Sequence, residues 1–211
     1  MKLATATKQR LLDTAIKLIW EQSYGSVSVD DICAQANANK GSFYHFFRSK
    51  SALAVTAMET HWQMIAPQMA KDFADDAPPL TRLKRFCQSV YLRQQVKRQQ
   101  VGRVCGCAFT CLGMELSTQD EAVRHQSQYI VTQYCRFLEA TIRAGVRDGT
   151  IEPQPARAQA RVLYGCVIAT LVQARIDNDL DCVRRLYPTM LRVLGVRATK
   201  KRSRRKGILM V

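Results

Sequence analysis

The stretch Ala-Asn-Lys-Gly-Ser-Phe-Tyr-His-Phe-Phe-Arg-Ser-Lys, at positions 38–50, decides the fold expected for this chain. In a helix, Phe43, Phe46 and Phe47 stand three and four residues apart, so they share one face. The opposite face carries small, aromatic and basic side chains, at Gly41, Tyr44 and His45. A short helix with these two faces is suited to lie in a groove of DNA while its apolar side packs against a small domain.

The segment before this stretch predicts another helix and a tight turn. Residues 28–31, Ser-Val-Asp-Asp, form a capping-box pattern, with a hydroxyl at the N-cap and an acid three residues later. Asn37 tolerates the left-handed backbone that a tight turn requires. An apolar helix face lies between them, made by Val29, Ile32, Cys33 and Ala36. These signals predict a helix-turn-helix, although any two amphipathic helices joined by a turn share the periodicity.

Residues 28–53 resemble the DNA-binding segment of the tetracycline-repressor (TetR) family of bacterial regulators. The matching positions are Val29, Asp31, Ile32, Ala34, Ala36, Lys40, Gly41, Ser42, Phe43, Tyr44, Phe47, Ser49, Lys50, Ala52 and Leu53. The chain departs from the family pattern at Asn37 and Ala38, where Gly-Val is usual, and at Cys33, where alanine is usual. The resemblance implies a DNA-binding domain followed by a helical body that binds an effector.

The resemblance also implies roles for single residues. Tyr44, His45 and Lys50 fall where the family contacts DNA phosphates. Lys40, Gly41 and Ser42 fall where the family approaches base edges. Ser28 is also predicted to bind DNA. The last two helices of the body resemble the pair through which the family dimerises as a four-helix bundle.

The composition agrees with a polyanionic partner. The chain has 211 residues, a formal net charge of +15 and a pI near 9.8, which indicates nucleic acid first and an acidic membrane second. No apolar run is long enough to span a bilayer, and the N-terminus lacks the apolar core of a signal peptide. We therefore expect a cytoplasmic protein with no membrane partner.

Helical periodicity predicts an all-α fold. The expected helices are at 8–22, 29–36 after the Ser28 cap, 38–47, 50–71, 80–99, 104–115, 117–148, 155–178 and 180–194. Gly25 would end the first helix, and Ser117 would cap the long helix at 117–148. We expect an N-terminal three-helix helix-turn-helix domain at 1–50, a larger helical effector-binding and dimerisation domain at 51–196, and a basic C-terminal tail at 197–211.

Residues 104–115, Val-Cys-Gly-Cys-Ala-Phe-Thr-Cys-Leu-Gly-Met-Glu, are the second informative stretch. In a helix, Cys107, Cys111 and Met114 share a face, and Cys105 lies near the helix start. Three interpretations stay open: small side chains that pack a tight helix, thiols that sense an oxidant, quinone or aldehyde, and ligands of a soft metal. The metal interpretation lacks a fourth ligand at a suitable spacing, so the sequence predicts neither a metal nor a cofactor.

A second resemblance, over about twenty residues around Gly106-Cys107, is to the branch of the family that responds to N-ethylmaleimide. A cysteine at this place is a sensor in that branch, so Cys107 is the predicted sensor thiol. An effector pocket is expected among the middle helices of the body. The predicted effector or sensor residues are Cys105, Cys107, Cys111, Trp62, Met64, Tyr91, Thr110, Met114, Tyr134 and Gln173, although each of these types more often packs in a core.

The sequence therefore predicts a homodimeric, ligand- or thiol-responsive transcriptional regulator, expected to be a repressor. Its partners would be a palindromic operator in double-stranded DNA and a small-molecule or electrophile effector. The alternative is an architectural or weakly specific DNA-binding protein without an effector. We find no phosphate loop, nucleophile elbow or suitably spaced carboxylate pair, so the sequence does not predict an enzyme.

Overall fold

A computed structural model describes residues 2–196, and side chains from residue 5 onward. Every regular element in that range is a helix, which confirms the predicted all-α fold. The helices are α1 Lys2–Glu21, α2 Val29–Gln35, α3 Lys40–Phe46, α4 Lys50–Asp72, α5 Pro79–Val101, α6 Ala108–Leu116, α7 Glu121–Arg147, α8 Ala156–Asp177, α9 Asp181–Arg184 and α10 Leu186–Val193. The predicted basic tail lies outside the described range. Within that range, no helix combines the length and the apolar character needed to cross a membrane.

Helices α1–α3 pack on one another around buried apolar side chains, and their ends follow the local signals. The Ser28 side chain accepts a hydrogen bond from the Asp31 amide, and the Asp31 carboxylate accepts one from the Ser28 amide, which is the predicted capping box. Asn37 has a φ of 47°, as the predicted turn requires. Ser49 caps α4 by accepting from the Ala52 amide.

The larger part of the chain is built around α7, which packs against α4, α5, α6 and α8. Its buried side chains meet those of the surrounding helices in one continuous apolar core. Fully buried members of that core include Met58, Phe86, Leu112, Ile130 and Leu163. Helix α1 also packs against α4 and α6, so the N-terminal helices rest on the body through two of its elements.

Two of the predicted helix ends are wrong. Helix α7 begins at Glu121 and is capped by Asp120, whose side chain accepts from the Val123 amide, whereas Ser117 is the C-cap of α6. Helix α1 ends at Glu21, so Gly25 lies in the following turn instead of at the helix end. In both cases a residue of a type that often caps a helix lies three or four positions from the observed helix end.

The single helix predicted at 180–194 is also wrong, because the structure has the short α9 followed by α10. Pro188 lacks an amide hydrogen, so it cannot donate to the Arg184 carbonyl one turn earlier. The Arg185 amide instead donates to the Cys182 carbonyl three residues earlier, as in a 3-10 turn. Helix α10 then begins at Leu186, and Arg185 alone separates it from the end of α9.

Candidate DNA-binding surface and effector site

Helix α3 has the two faces that its sequence predicts. Phe43 and Phe47 are buried and Phe46 is half-buried, whereas Tyr44 and His45 are exposed. The Tyr44 ring stands edge-on to the Phe43 ring, with 5.1 Å between centroids, while 57% of Tyr44 is accessible to solvent. The helix therefore anchors itself by its apolar side and offers a polar side to a partner.

Arg10 on α1 fixes the turn that orients α3. Its Nε donates to the Ala36 carbonyl at 2.9 Å, and its Nη2 donates to the Asn37 carbonyl at 3.3 Å. These carbonyls end α2 and form the turn, so Arg10 supplies donors that the backbone there lacks. Sequence reasoning did not identify Arg10, because its partners lie 26 and 27 residues away.

The structure places the predicted base-edge residues together at the start of α3. Lys40 forms an exposed ion pair with Asp30, with 2.9 Å between Nζ and Oδ1, and this hydrogen bond raises the pKa of Lys40. Exposed pairs of this kind contribute little energy, so a base or phosphate can replace Asp30. The Ser42 amide donates to the Asn39 side chain at 2.7 Å, and a side chain at Gly41 would come within 3.3 Å of the same oxygen.

Ser28 and Lys50, also predicted to bind DNA, are engaged within the protein. The backbone amide and the side-chain hydroxyl of Ser28 both bond to Asp31. The Lys50 ammonium donates to the Tyr24 and Val27 carbonyls at 2.9 and 2.8 Å and lies 3.9 Å from the centre of the Tyr24 ring. Burial lowers the pKa of Lys50. Lys50 therefore closes the turn between α1 and α2, and it would have to leave these carbonyls to reach a phosphate.

The helix predicted at 104–115 begins only at Ala108, so the prediction is wrong for residues 104–107. Gly106 has a φ of 72°, and a side chain there would come within 3.2 Å of the Leu171 carbonyl. Its amide donates to the Gln94 side chain at 3.0 Å. Its carbonyl accepts from the Gln94 side-chain Nε2 at 2.8 Å and from the Trp20 indole at 2.9 Å. Cys107 is consequently the N-cap of α6.

A small cavity of about 50 Å³ is lined in part by Cys107. Its wall includes Trp20, His61, Arg93, Tyr134 and Tyr164. Burial, with smaller contributions from Arg93 and Lys97, lowers the pKa of His61 to about 4. The cavity has room for one or two water molecules, since each occupies about 30 Å³ of the liquid.

The His61 environment predicts a loss of stability in mild acid. His61 has a pKa of about 4 in the folded protein, whereas a free histidine has a pKa near 6.5, so between these values the unfolded chain binds the additional proton. Going from pH 7 to pH 5 should therefore cost the wild type about 2 kcal/mol through this group. Urea unfolding at the two pH values measures it.

The matched control for this prediction is His125→Gln, which alters an exposed histidine on α7. His61→Gln should lose less stability than the wild type on acidification, while His125→Gln should follow the wild type. Equal losses in all three proteins would contradict a neutral His61 in the cavity wall.

A larger, open groove of about 460 Å³ lies between α6 and α8. Four predicted effector residues line it from the α6 side: Cys107, Thr110, Cys111 and Met114. The α8 side is mostly aliphatic and includes Leu171, Val172 and Ile176, with Arg175 among them. A mostly apolar groove of this size with a few polar groups suits a small organic molecule.

The other predicted effector residues lie elsewhere. Trp62 and Tyr134 are buried, with 5.4 Å between their ring centroids, and Cys105 is buried behind the groove. The remaining three lie outside both the cavity and the groove: Met64 is exposed on α4, Tyr91 accepts from Arg184, and Gln173 donates to Asp177. Between residues 2 and 196, no three His, Cys, Asp or Glu side chains cluster to hold a metal ion.

Burial also shifts the pKa of two thiols near the groove, those of Cys105 and Cys111. It raises the pKa of Cys105 and of Cys111, and Arg175 opposes the rise at both. The Cys105 thiol donates to the Arg103 carbonyl at 3.7 Å. Cys111 instead faces the groove with the Arg175 guanidinium beside its sulfur, and that charge offsets only part of the rise that burial causes.

An exposed helix-turn-helix on a helical body is the arrangement expected of a DNA-binding regulator. Residues 11–57 match the family described as bacterial regulatory proteins, tetR family. Residues 79–190 match the family described as tetracyclin repressor-like, C-terminal domain, and this match alone covers more than half of the chain. The chain belongs to the TetR family of transcriptional regulators.

Known relatives resemble the chain over most of its length. It is 28% identical to an HTH-type transcriptional regulator from the lacX 3' region of Lactococcus lactis, over 83% of this chain and 86% of the relative. It is 24% identical to the HTH-type transcriptional repressor NemR of Escherichia coli strain K12, over 83% of this chain and 87% of NemR. The crystal structure of the reduced form of E. coli NemR superposes with a TM-score of 0.78 at 23% identity, over 91% of this chain and 98% of that one.

Proposed function

We propose that the protein is a homodimeric repressor that leaves a palindromic operator when an effector occupies or modifies the groove between α6 and α8. The observation that carries this proposal is the geometry of α3, whose phenylalanines are buried while Tyr44 and His45 are exposed. The net charge of +15 supports a polyanionic partner, and the description of NemR as a repressor supports repression.

The exposed face of α8 supports dimerisation. Val162 and Ile176 are 47% and 72% exposed, and Gly165 and Ala169 lie on the same face between them. Apolar side chains in such a row are covered when a second copy packs against them. A two-fold dimer would place two α3 helices in successive major grooves, which accounts for a palindromic operator.

The proposed arrangement assigns a separate role to each part of the chain. Residues 1–50 would bind DNA, residues 51–196 would bind the effector and the second copy, and the protein would act in the cytoplasm by binding rather than by catalysis. Release needs only an effector that binds the two states of the dimer with different affinities.

A footprint on the DNA upstream of the protein's own coding region tests this proposal. A regulator should protect one short palindrome, and N-ethylmaleimide, a quinone or another effector should remove the protection. Protection spread evenly along the duplex would instead support the architectural alternative.

Tyr44→Phe should weaken DNA binding about ten- to hundredfold, since a hydrogen bond to a charged group contributes about 1.5–3 kcal/mol. The loss should be similar on the operator and on a scrambled duplex, because a phosphate contact carries no sequence information. Fluorescence anisotropy with both duplexes measures it. Tyr129→Phe, on another half-exposed tyrosine, is the control; a loss confined to one base position would contradict a phosphate contact at Tyr44.

A further inference from the structure

Arg175 joins the groove to the segment that follows α1. Its Nη1 donates to the Cys105 carbonyl at 3.1 Å and to the Cys111 sulfur at 2.7 Å. Its Nη2 donates to the Gln22 carbonyl at 3.3 Å. Gln22 directly follows the last residue of α1, so one guanidinium connects a groove thiol with the DNA-binding helices.

Glu115 makes a second connection to the same segment. Its two carboxylate oxygens accept from the Tyr24 and Gly25 amides at 2.9 and 2.6 Å. Cys111 and Glu115 are four residues apart on α6 and therefore lie on the same side of that helix. Residues 22–25 are thus held by α6 and α8 together, and Ser23 forms part of the groove wall.

We infer that Cys111 is a modification site for an apolar α,β-unsaturated carbonyl compound or quinone, and that Arg175 transmits the modification to residues 22–25. This inference rests on the proposed function as an effector-released repressor. The aliphatic wall made by Leu171 and Val172 accommodates the apolar part of the compound. The Arg175 guanidinium stands where it can donate to the carbonyl oxygen.

The reaction is a conjugate addition that needs no oxidant. The Cys111 thiol gives its proton to water, and its sulfur forms a bond to the β-carbon of the compound. The electron pair of the carbon–carbon double bond moves towards the carbonyl, and the α-carbon then takes a proton from water. The thioether that results fills the space next to the guanidinium, so Arg175 loses the sulfur as an acceptor and is displaced from Gln22.

Cys111 fits this role better than its two neighbours. Cys105 is 2% exposed and is not part of the groove wall. Cys107 borders both the cavity and the groove, but it is one helical turn further from Glu115 and precedes the first residue of α6. Modification at Cys111 acts directly on the group that bonds to Gln22.

The test uses the full-length protein, N-ethylmaleimide as the probe and the duplex found in the footprint. The Kd for this duplex is measured before and after treatment, and peptide mass spectrometry identifies the modified cysteine. Treatment should raise the Kd of the wild type and of Cys107→Ser at least tenfold. The Kd of Cys111→Ser should change less than twofold.

The outcomes separate this inference from the proposed function. Release that persists in Cys111→Ser and disappears in Cys107→Ser would overturn the inference and leave the proposed function standing. A wild type that is fully alkylated and still binds DNA would overturn the inference and, with it, release through the groove.

Arg175→Gln tests the transmission step separately. Mass spectrometry should still find Cys111 alkylated, but the Kd before and after treatment should differ less than twofold, because no guanidinium joins Cys111 to Gln22. Arg143→Gln removes an exposed arginine of α7 that pairs with Glu139, and it should keep the full response. A full response in Arg175→Gln would show that Arg175 does not transmit the modification.

Discussion

Replacing Phe43 with alanine should abolish DNA binding by unfolding the DNA-binding helices. Phe43 is fully buried, and its ring lies 5.9 Å from that of Phe47, centroid to centroid. Truncating a buried phenylalanine costs about 3–5 kcal/mol, whereas a unit of some fifty residues has a total stability of only about 3–7 kcal/mol. The substitution therefore removes most of the stability that α1–α3 can have by themselves.

The matched control is Phe46→Ala, in the same helix but at a half-buried position. Urea unfolding followed by circular dichroism should show a much smaller loss for Phe46→Ala, which should retain DNA binding. Phe43→Ala should lose DNA binding while the helical signal of the body persists. Equal losses from both substitutions would contradict the assignment of Phe43 to the inner face of α3.

The helix-turn-helix could be predicted because its signals are local. The capping box at Ser28, the left-handed Asn37 and the cap at Ser49 each depend on residues within three or four positions. Lys50 shows where such reasoning fails. Its ammonium bonds to carbonyls 23 and 26 residues away, and no local pattern reports that the fold brings them together.

The candidate effector groove likewise has a part that could be predicted from local sequence and a part that could not. The spacing of Cys107 and Cys111 placed both thiols on the groove, because helical periodicity is a local property. The position of Gly106 depends on Gln94 and on the approach of Leu171, so the late start of α6 could not be predicted. Arg175 lies 64 residues from Cys111 in the chain, and only the packing of α8 on the body makes it a partner.

Removing one partner of the ion pair between Lys97 and Glu21 should destabilise the protein by about 3–5 kcal/mol, because the other charge stays buried. The pair joins α5 to the end of α1, with 2.7 Å between Nζ and Oε1, and the two side chains are 9% and 13% exposed. The ammonium also lies 4.8 Å from the centre of the Trp20 ring. Lys97→Met leaves the Glu21 carboxylate without this counter-ion and should show the full loss in urea unfolding.

The double variant Glu21→Gln with Lys97→Met decides whether the loss comes from the stranded charge. It should recover much of the stability, since a neutral amide beside a methionine leaves no charge in the site. Arg143→Met, which breaks an exposed pair on α7, should cost little and serves as the control. Strictly additive losses in the double variant would show that the charges of Lys97 and Glu21 do not stabilise each other. A recovered double variant that binds DNA with altered affinity would show that this pair also sets how α1 rests on the body.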